Sequence, residues 1–186
     1  NASTDARTAD FRTDLVNNQL EPLSENAVDF IAMNTPDDFN AGQSNSQPSE
    51  NDYRVQMTGN TALSGTITGK LSLLGRTDLV ANNMADRATT QSCGGCHDLS
   101  NNDRLGGAVD PRWPTTNGFV HVDEFSQISP ALRFVFLPHR KGVLRNFLDT
   151  TCGEVCSSCG DVVIKGQAAP GSNGTQVKTI GGSVTH

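Results

Sequence analysis

Cys93-Gly94-Gly95-Cys96-His97 gathers two of the chain's five cysteines and one of its four histidines into five consecutive residues. Two thiols three positions apart, with an imidazole directly after the second, match the signature of covalent haem attachment. The spacing has a physical reason: both thiols must reach the vinyl groups on one edge of a porphyrin while the adjacent imidazole turns beneath the ring to the iron. Small residues at 94 and 95 let the backbone lie close to the macrocycle. In this reading Cys93 and Cys96 form thioethers to one haem c, and His97 is the proximal ligand.

Two other uses of such a pair compete. A thioredoxin-like dithiol opens a helix after a strand in a βαβ context, and no such alternation surrounds this one. A zinc site needs two further ligands, for which Cys152, Cys156 and Cys159 are the available thiols. Only haem attachment requires the histidine in fifth place. The group "CGEVCSSCG" has no histidine after Cys159, so it is not a second haem motif; its three thiols suggest one disulfide and one odd cysteine.

The ligand on the other face of the iron decides between chemistries. Methionine is common there in small soluble cytochromes, but no methionine follows Met84. In "WPTTNGFVHVDEF" an extended backbone sets Phe119 and His121 on one face and Val120 and Val122 on the other, offering an imidazole beside an aromatic wall. His121 therefore heads the candidates. His139, near the start of a helix in "FLPHRKGVLRNFL" and on the side of Val143 and Phe147, comes second. His186, an open or water-bound position and Met84 complete the set. Arg112, Arg133, Arg140 and Lys141 are candidates for pairing with propionates, against the commoner role of solvated cations. Trp113 is expected at the ring edge or in the core.

The elements that must position these residues are short. Thr8 to Leu23 has apolar spacing for an amphipathic helix ended at Pro22. Residues 35 to 51 are rich in turn formers and read as a loop. Partial alternation at Arg54 to Thr58, with glycines at 59, 65 and 69, predicts short extended pieces. A helical stretch of about Gly69 to Arg87, weakened by Gly75, leads into the motif. Two helical pieces separated by Pro138 follow at 129 to 150, and residues 160 to 186 read as a β-hairpin or extended arm.

Only 35% of the 186 residues are hydrophobic and 5% aromatic, so apolar side chains are scarce and loops should be extensive. A buried macrocycle would add apolar area that the side chains need not supply. The net charge is −6, and no cationic run exceeds Arg140-Lys141, which argues against nucleic acid and an anionic membrane surface as partners. No apolar stretch is long enough to span a bilayer. The start at Asn1 suggests a mature product or a fragment of a longer precursor. Haem attachment and surviving disulfides both belong outside the cytoplasm, so a periplasmic or extracellular location is expected.

The block from Gln91 to Leu148 resembles a group of secreted domains with a c-type haem motif near the C-termini of deltaproteobacterial proteins. Its marks are the CxxCH stretch followed by Trp113-Pro114, the GFxHV element at Gly118 to Val122, and Phe136 to Lys141 as FLPHRK. The resemblance covers about a third of the chain and implies export and haem attachment, with no defined activity.

The expected architecture is a mixed, loop-rich fold, with short α-helices around a c-type haem and a β-hairpin-like C-terminal arm. Its expected division is an N-terminal arm over 1–68, a haem-binding domain over 69–150 and a Cys-rich turn with the extended arm over 151–186. The expected function is that of an exported monohaem cytochrome carrying single electrons between protein partners through a bis-histidine iron, without a catalytic residue. The competing expectations are a five-coordinate, peroxidase-like haem module and an assembly-forming subunit in which haem stabilises the fold and the arm mediates homo-oligomers.

Overall fold

The computed structural model describes residues 7–39, 52–149, 163–165 and 177–179. Described residues are mostly helical, with long irregular connections and two three-residue strands. The chain divides into two compact units, Asn1–Phe136 and Leu137–His186.

The first unit starts with helix α1 (Arg7–Asp14), a π-helical turn (Leu15–Gln19) and helix α2 (Leu20–Leu23). Leu15, Leu20 and Leu23 are buried from this run. The helix passes one residue beyond the expected stop at Pro22, directly after the π-helical turn. Gln19 then fixes the returning chain: its amide donates to the Asn34 carbonyl at 3.0 Å, and its oxygen accepts from the Asn34 N–H at 2.9 Å.

The extended pieces expected after residue 53 are helices instead. Asp52 caps α3 (Tyr53–Met57) by accepting from Arg54 N, and Asn60 caps α4 (Thr61–Leu73) by accepting from Leu63 N. Leu63, Ile67 and Leu71 recur every four residues on the buried face of α4, a spacing that outweighs the poor helix propensity of Gly65 and Gly69. Its hydroxyls bond within the helix as well, Thr66 to the Ala62 carbonyl and Thr68 to that of Ser64.

Gly75, at φ +72°, ends this stretch. The expected helix over 69 to 87 is therefore two elements, with α5 (Ala81–Thr89) following the turn. Helix α5 packs against α3 and α4, and it buries Met84, Ala85 and Ala88. Arg87 on the same helix is fully buried and serves as a hub. Its guanidinium donates to the carbonyls of Leu105, Leu23, Glu25 and Gly106 at 2.8, 2.9, 2.7 and 3.0 Å. Burial lowers its pKa to about 10, so it remains a cation at neutral pH.

The core of this unit joins Leu20, Leu23, Ile67, Leu71 and Met84 to Cys96, Leu105, Trp113, Ala131 and Val135. Beyond it, a π-helical turn (Leu132–Phe136) closes the unit. The second unit holds helix α6 (Leu137–Asp149), in which Pro138 is the second residue; the two expected helical pieces divide between Phe136 and Leu137, ahead of the proline. Strands β1 (Val163–Lys165) and β2 (Val177–Thr179) also belong to it and pair antiparallel. Among the described residues no helix is long and apolar enough to cross a membrane.

Candidate functional site

The cysteine motif sits where α5 ends and the chain rewinds. Ser92 Oγ donates to the Thr89 carbonyl and accepts from Gly95 N, at 2.9 and 3.0 Å. The segment Gly95–Leu99 is a π-helical turn, closed by the bond from Ser100 N to the Gly95 carbonyl at 2.9 Å. Gly95 is buried against the end of α5; a Cβ there would lie 1.7 Å from the Thr89 carbonyl oxygen. Close approach of backbone to backbone is thus the demand on Gly95 that the structure displays, in addition to the room for a macrocycle expected from the sequence.

The two thiols differ in environment. Cys93 is exposed and Cys96 is buried in the core. Burial, with the neighbouring Cys93 second, pushes the Cys96 thiol up to about 11, so it stays protonated at neutral pH.

His97 stands at the edge of the core with its ring held from two sides. Its Nδ1 lies 2.6 Å from the Gly118 carbonyl. Since a carbonyl only accepts, Nδ1 carries the proton, which in the neutral imidazole leaves the lone pair on Nε2. The Thr116 hydroxyl donates to the His97 backbone carbonyl at 2.7 Å, and Thr116 N donates to Asn101 Oδ1 at 3.0 Å. Both bonds tie the segment 115–118 to the motif turn. Gly118 has φ +63°, a left-handed conformation that favours glycine.

Beyond Gly118 the chain carries Phe119 and His121 to the same ring. Phe119 stacks on His97 with centroids 5.2 Å apart and planes 20° apart, and His121 lies 5.1 Å away at 45°. The face expected to be shared by Phe119 and His121 is thus seen in their common neighbour. The backbone here is a turn with isolated bridges, Asn117 to Val120 and Val122 to Ile128, in place of a continuous strand.

The donor set fits a covalently held haem. Thiols at 93 and 96, an imidazole with Nε2 available, and a second imidazole beside it are the groups required. The His97 and His121 rings lie 5.1 Å apart with planes at 45°, so these two imidazoles are the ones that would hold the group. Phe119, Val120, Val122, Phe125 and Ile128, on the segment that carries His121, are exposed, as is Phe134. Two buried polar atoms close to the motif in sequence, Ser100 Oγ and Trp113 Nε1, find no partner among the described residues.

Other candidates fall elsewhere. Met84 is buried in the core against neighbouring apolar side chains. His139 is exposed on α6 of the second unit, and His186, Cys152, Cys156 and Cys159 lie outside the described residues. Trp113 fills the core. Arg112 donates to the Asn102 carbonyl at 2.6 Å, and Arg133 lies over the Phe134 ring at 5.3 Å; Arg140 and Lys141 are exposed on α6. Among the described residues no group of three or more His, Cys, Asp and Glu side chains could hold a metal ion by itself, and the organic ring of a haem removes that requirement.

The sequence reading gave no role to Thr89 or Thr116, and it named Gly118 only as the first residue of the GFxHV element, not as a partner of His97. Only Gly118 carried a local signal, a glycine before the alternating residues 119 to 122. Compared with known proteins, the chain matches no family model, no curated protein and no solved structure.

Proposed function

We propose that this chain is an exported monohaem c-type cytochrome that passes single electrons between redox proteins. The observation that carries the reading is the pair of imidazoles: His97, protonated at Nδ1 by its bond to Gly118, has His121 at 5.1 Å and the two motif thiols next to it in sequence. When bound, haem supplies a one-electron iron couple. The chain's own contribution is to tether through Cys93 and Cys96 and to present Nε2 of His97. His121 would be the second residue to hold the group, with the exposed Phe119 against the His97 ring beside it. Two nitrogen ligands without a thioether favour a lower potential than a His/Met pair. The β1–β2 pair belongs to the proposed hairpin arm, which would serve association with a second copy.

A second reading, a five-coordinate peroxidase-like module, is favoured by the exposure of His121 on an irregular turn, a position from which a ligand is easily displaced. Intact mass and a pyridine haemochrome spectrum test the attachment: one haem per chain is expected, and a mass equal to the residues alone refutes both readings. Carbon monoxide added to the reduced protein separates them. Slow or absent binding in the parent and fast binding in His121→Ala supports the cytochrome; fast binding in the parent supports the peroxidase-like site.

A further inference from the structure

Helix α5, whose end carries the motif, bears a carboxyl group that the electron-transfer reading does not use. Asp86 lines a solvent-open cavity of about 520 Å³ together with Arg54, Met57, Thr61, Ser64 and Asn82. Three charged groups act on it: Arg54 and Asp52 from α3 and its cap, and Asp103 from the loop after the motif. From α4 the cavity receives Thr61 and Ser64, neither of which titrates near neutrality. The cation among these groups is already committed. Arg54 Nε bonds Asp52 at 2.8 Å and Nη1 bonds Asp103 at 2.9 Å, so its guanidinium is taken by those two carboxylates and Asp86 lines the same cavity without a bond to it. Burial, above all, pushes Asp86 up to about 6.

The same cluster is tied to the motif turn. Arg54 Nη2 donates to the Leu99 carbonyl at 3.4 Å, and Asp103 N donates to that of Ser100 at 3.0 Å. Tyr53 N donates to Thr89 Oγ1 at 3.1 Å, and the Thr89 carbonyl is the surface on which Gly95 rests. Arg54 and Asp103 thus tie this carboxylate cluster to Leu99 and Ser100, two and three residues after His97, and the cavity opens the cluster to solvent.

We propose that Asp86 takes up a proton when the centre at His97 gains an electron, so that electron transfer by this chain is coupled to protonation of α5. The inference rests on the cytochrome reading. The electron comes from an external one-electron donor such as a reduced protein, and the proton comes from solvent through the cavity. An O–H bond forms on the Asp86 carboxylate, no protein bond breaks, and the net charge of the chain is the same before and after. The added negative charge raises the proton affinity of Asp86, and by reciprocity protonation eases reduction.

Spectroelectrochemical titration of the haem-loaded protein between pH 5 and 8 tests this. A tenfold difference in Asp86 proton affinity between the two redox states corresponds to 59 mV for a one-electron couple, with the lower potential at higher pH. The parent should show this fall, Asp86→Asn should lose it, and Asp86→Glu should keep it with a displaced midpoint. A flat profile in the haem-loaded parent, or an unchanged slope in Asp86→Asn, overturns the inference while leaving the cytochrome intact. A chain without a Soret band overturns both. Carboxyl carbon NMR of Asp86 in the oxidised and reduced states gives an independent reading, and one titration midpoint common to both states also overturns the coupling.

Discussion

Replacing Gly95 by alanine tests the positioning of the cysteine motif most directly. The new Cβ would stand 1.7 Å from Thr89 O, 2.5 Å from Thr89 C and 2.7 Å from Ser92 Oγ, whereas ordinary contact begins at 3.4 Å. The turn must therefore withdraw from α5 by roughly 1.5 Å, and Thr89 is fully buried, so its backbone has little freedom to give way. Overpacking of this kind costs typically 1–3 kcal/mol, and a backbone obstacle places Gly95→Ala near about 3 kcal/mol. For a chain of this size that corresponds to a fall of roughly 6–12 °C in Tm. Thermal unfolding by circular dichroism supplies the measurement. The internal control is Gly65→Ala: its site in α4 has nothing within 4 Å, so alanine should stabilise by about 0.5–1 kcal/mol through helix propensity. On the proposed cytochrome reading, covalent haem yield should drop in Gly95→Ala alone, because Cys96 moves with the turn. If Gly95→Ala melts within 2 °C of the parent (a shift of about 1 kcal/mol or less) and takes up haem equally well, the close packing of the motif on Thr89 has been misjudged.

Arg87→Leu leaves the carbonyls of Leu23, Glu25, Leu105 and Gly106 without their shared donor and should cost about 3 kcal/mol or more, read from the urea midpoint. Asp86→Asn should stabilise the chain at pH 7 by about 1 kcal/mol once solvent screening is allowed for. The sign follows from a folded-state pKa raised from 3.8 to about 6: the folded chain binds the proton more tightly, so the parent loses stability as pH rises through that window. The variant's advantage should accordingly vanish in melts below about pH 4. Gly118→Ala meets no atom within 4 Å and should cost only the left-handed backbone strain, about 1–2 kcal/mol. Nitrogen NMR of His97 should then show a weakened Nδ1–H bond, and an unchanged Nδ1 signal would mean that the Gly118 carbonyl does not hold the tautomer.

How far the sequence foretold the structure varies from element to element. Phe119 and His121 do meet one ring, but not by the expected alternation of an extended strand: the segment is a turn with isolated bridges, and a turn of this kind depends on contacts that no local pattern encodes. Helix α4 was obscured because its two glycines, three threonines and two serines mimic a chain of turns. What makes it a helix is the four-residue recurrence of Leu63, Ile67 and Leu71 together with the Asn60 cap, a pattern present in the sequence but outvoted by composition. The Arg54 bond to Asp103 spans 49 residues, and no local rule pairs groups so far apart. Nor does any pattern in α5 separate Arg87 from a solvated arginine, since its buried role depends on carbonyls brought in from residues 23, 25, 105 and 106.

The π turn over Gly95–Leu99 also determines what a shortened motif would do. Each residue of a regular helix advances about 100° around the axis, and a π turn accommodates an extra one by widening. Deleting Gly94 or Gly95 would let this segment relax to an ordinary, locally more comfortable helix. It would also swing every following side chain by that angle, aiming the imidazole away from the Gly118 oxygen. The five-residue ring thus works as a register lock, and the lesion that most eases the backbone is the one that points the ligand elsewhere.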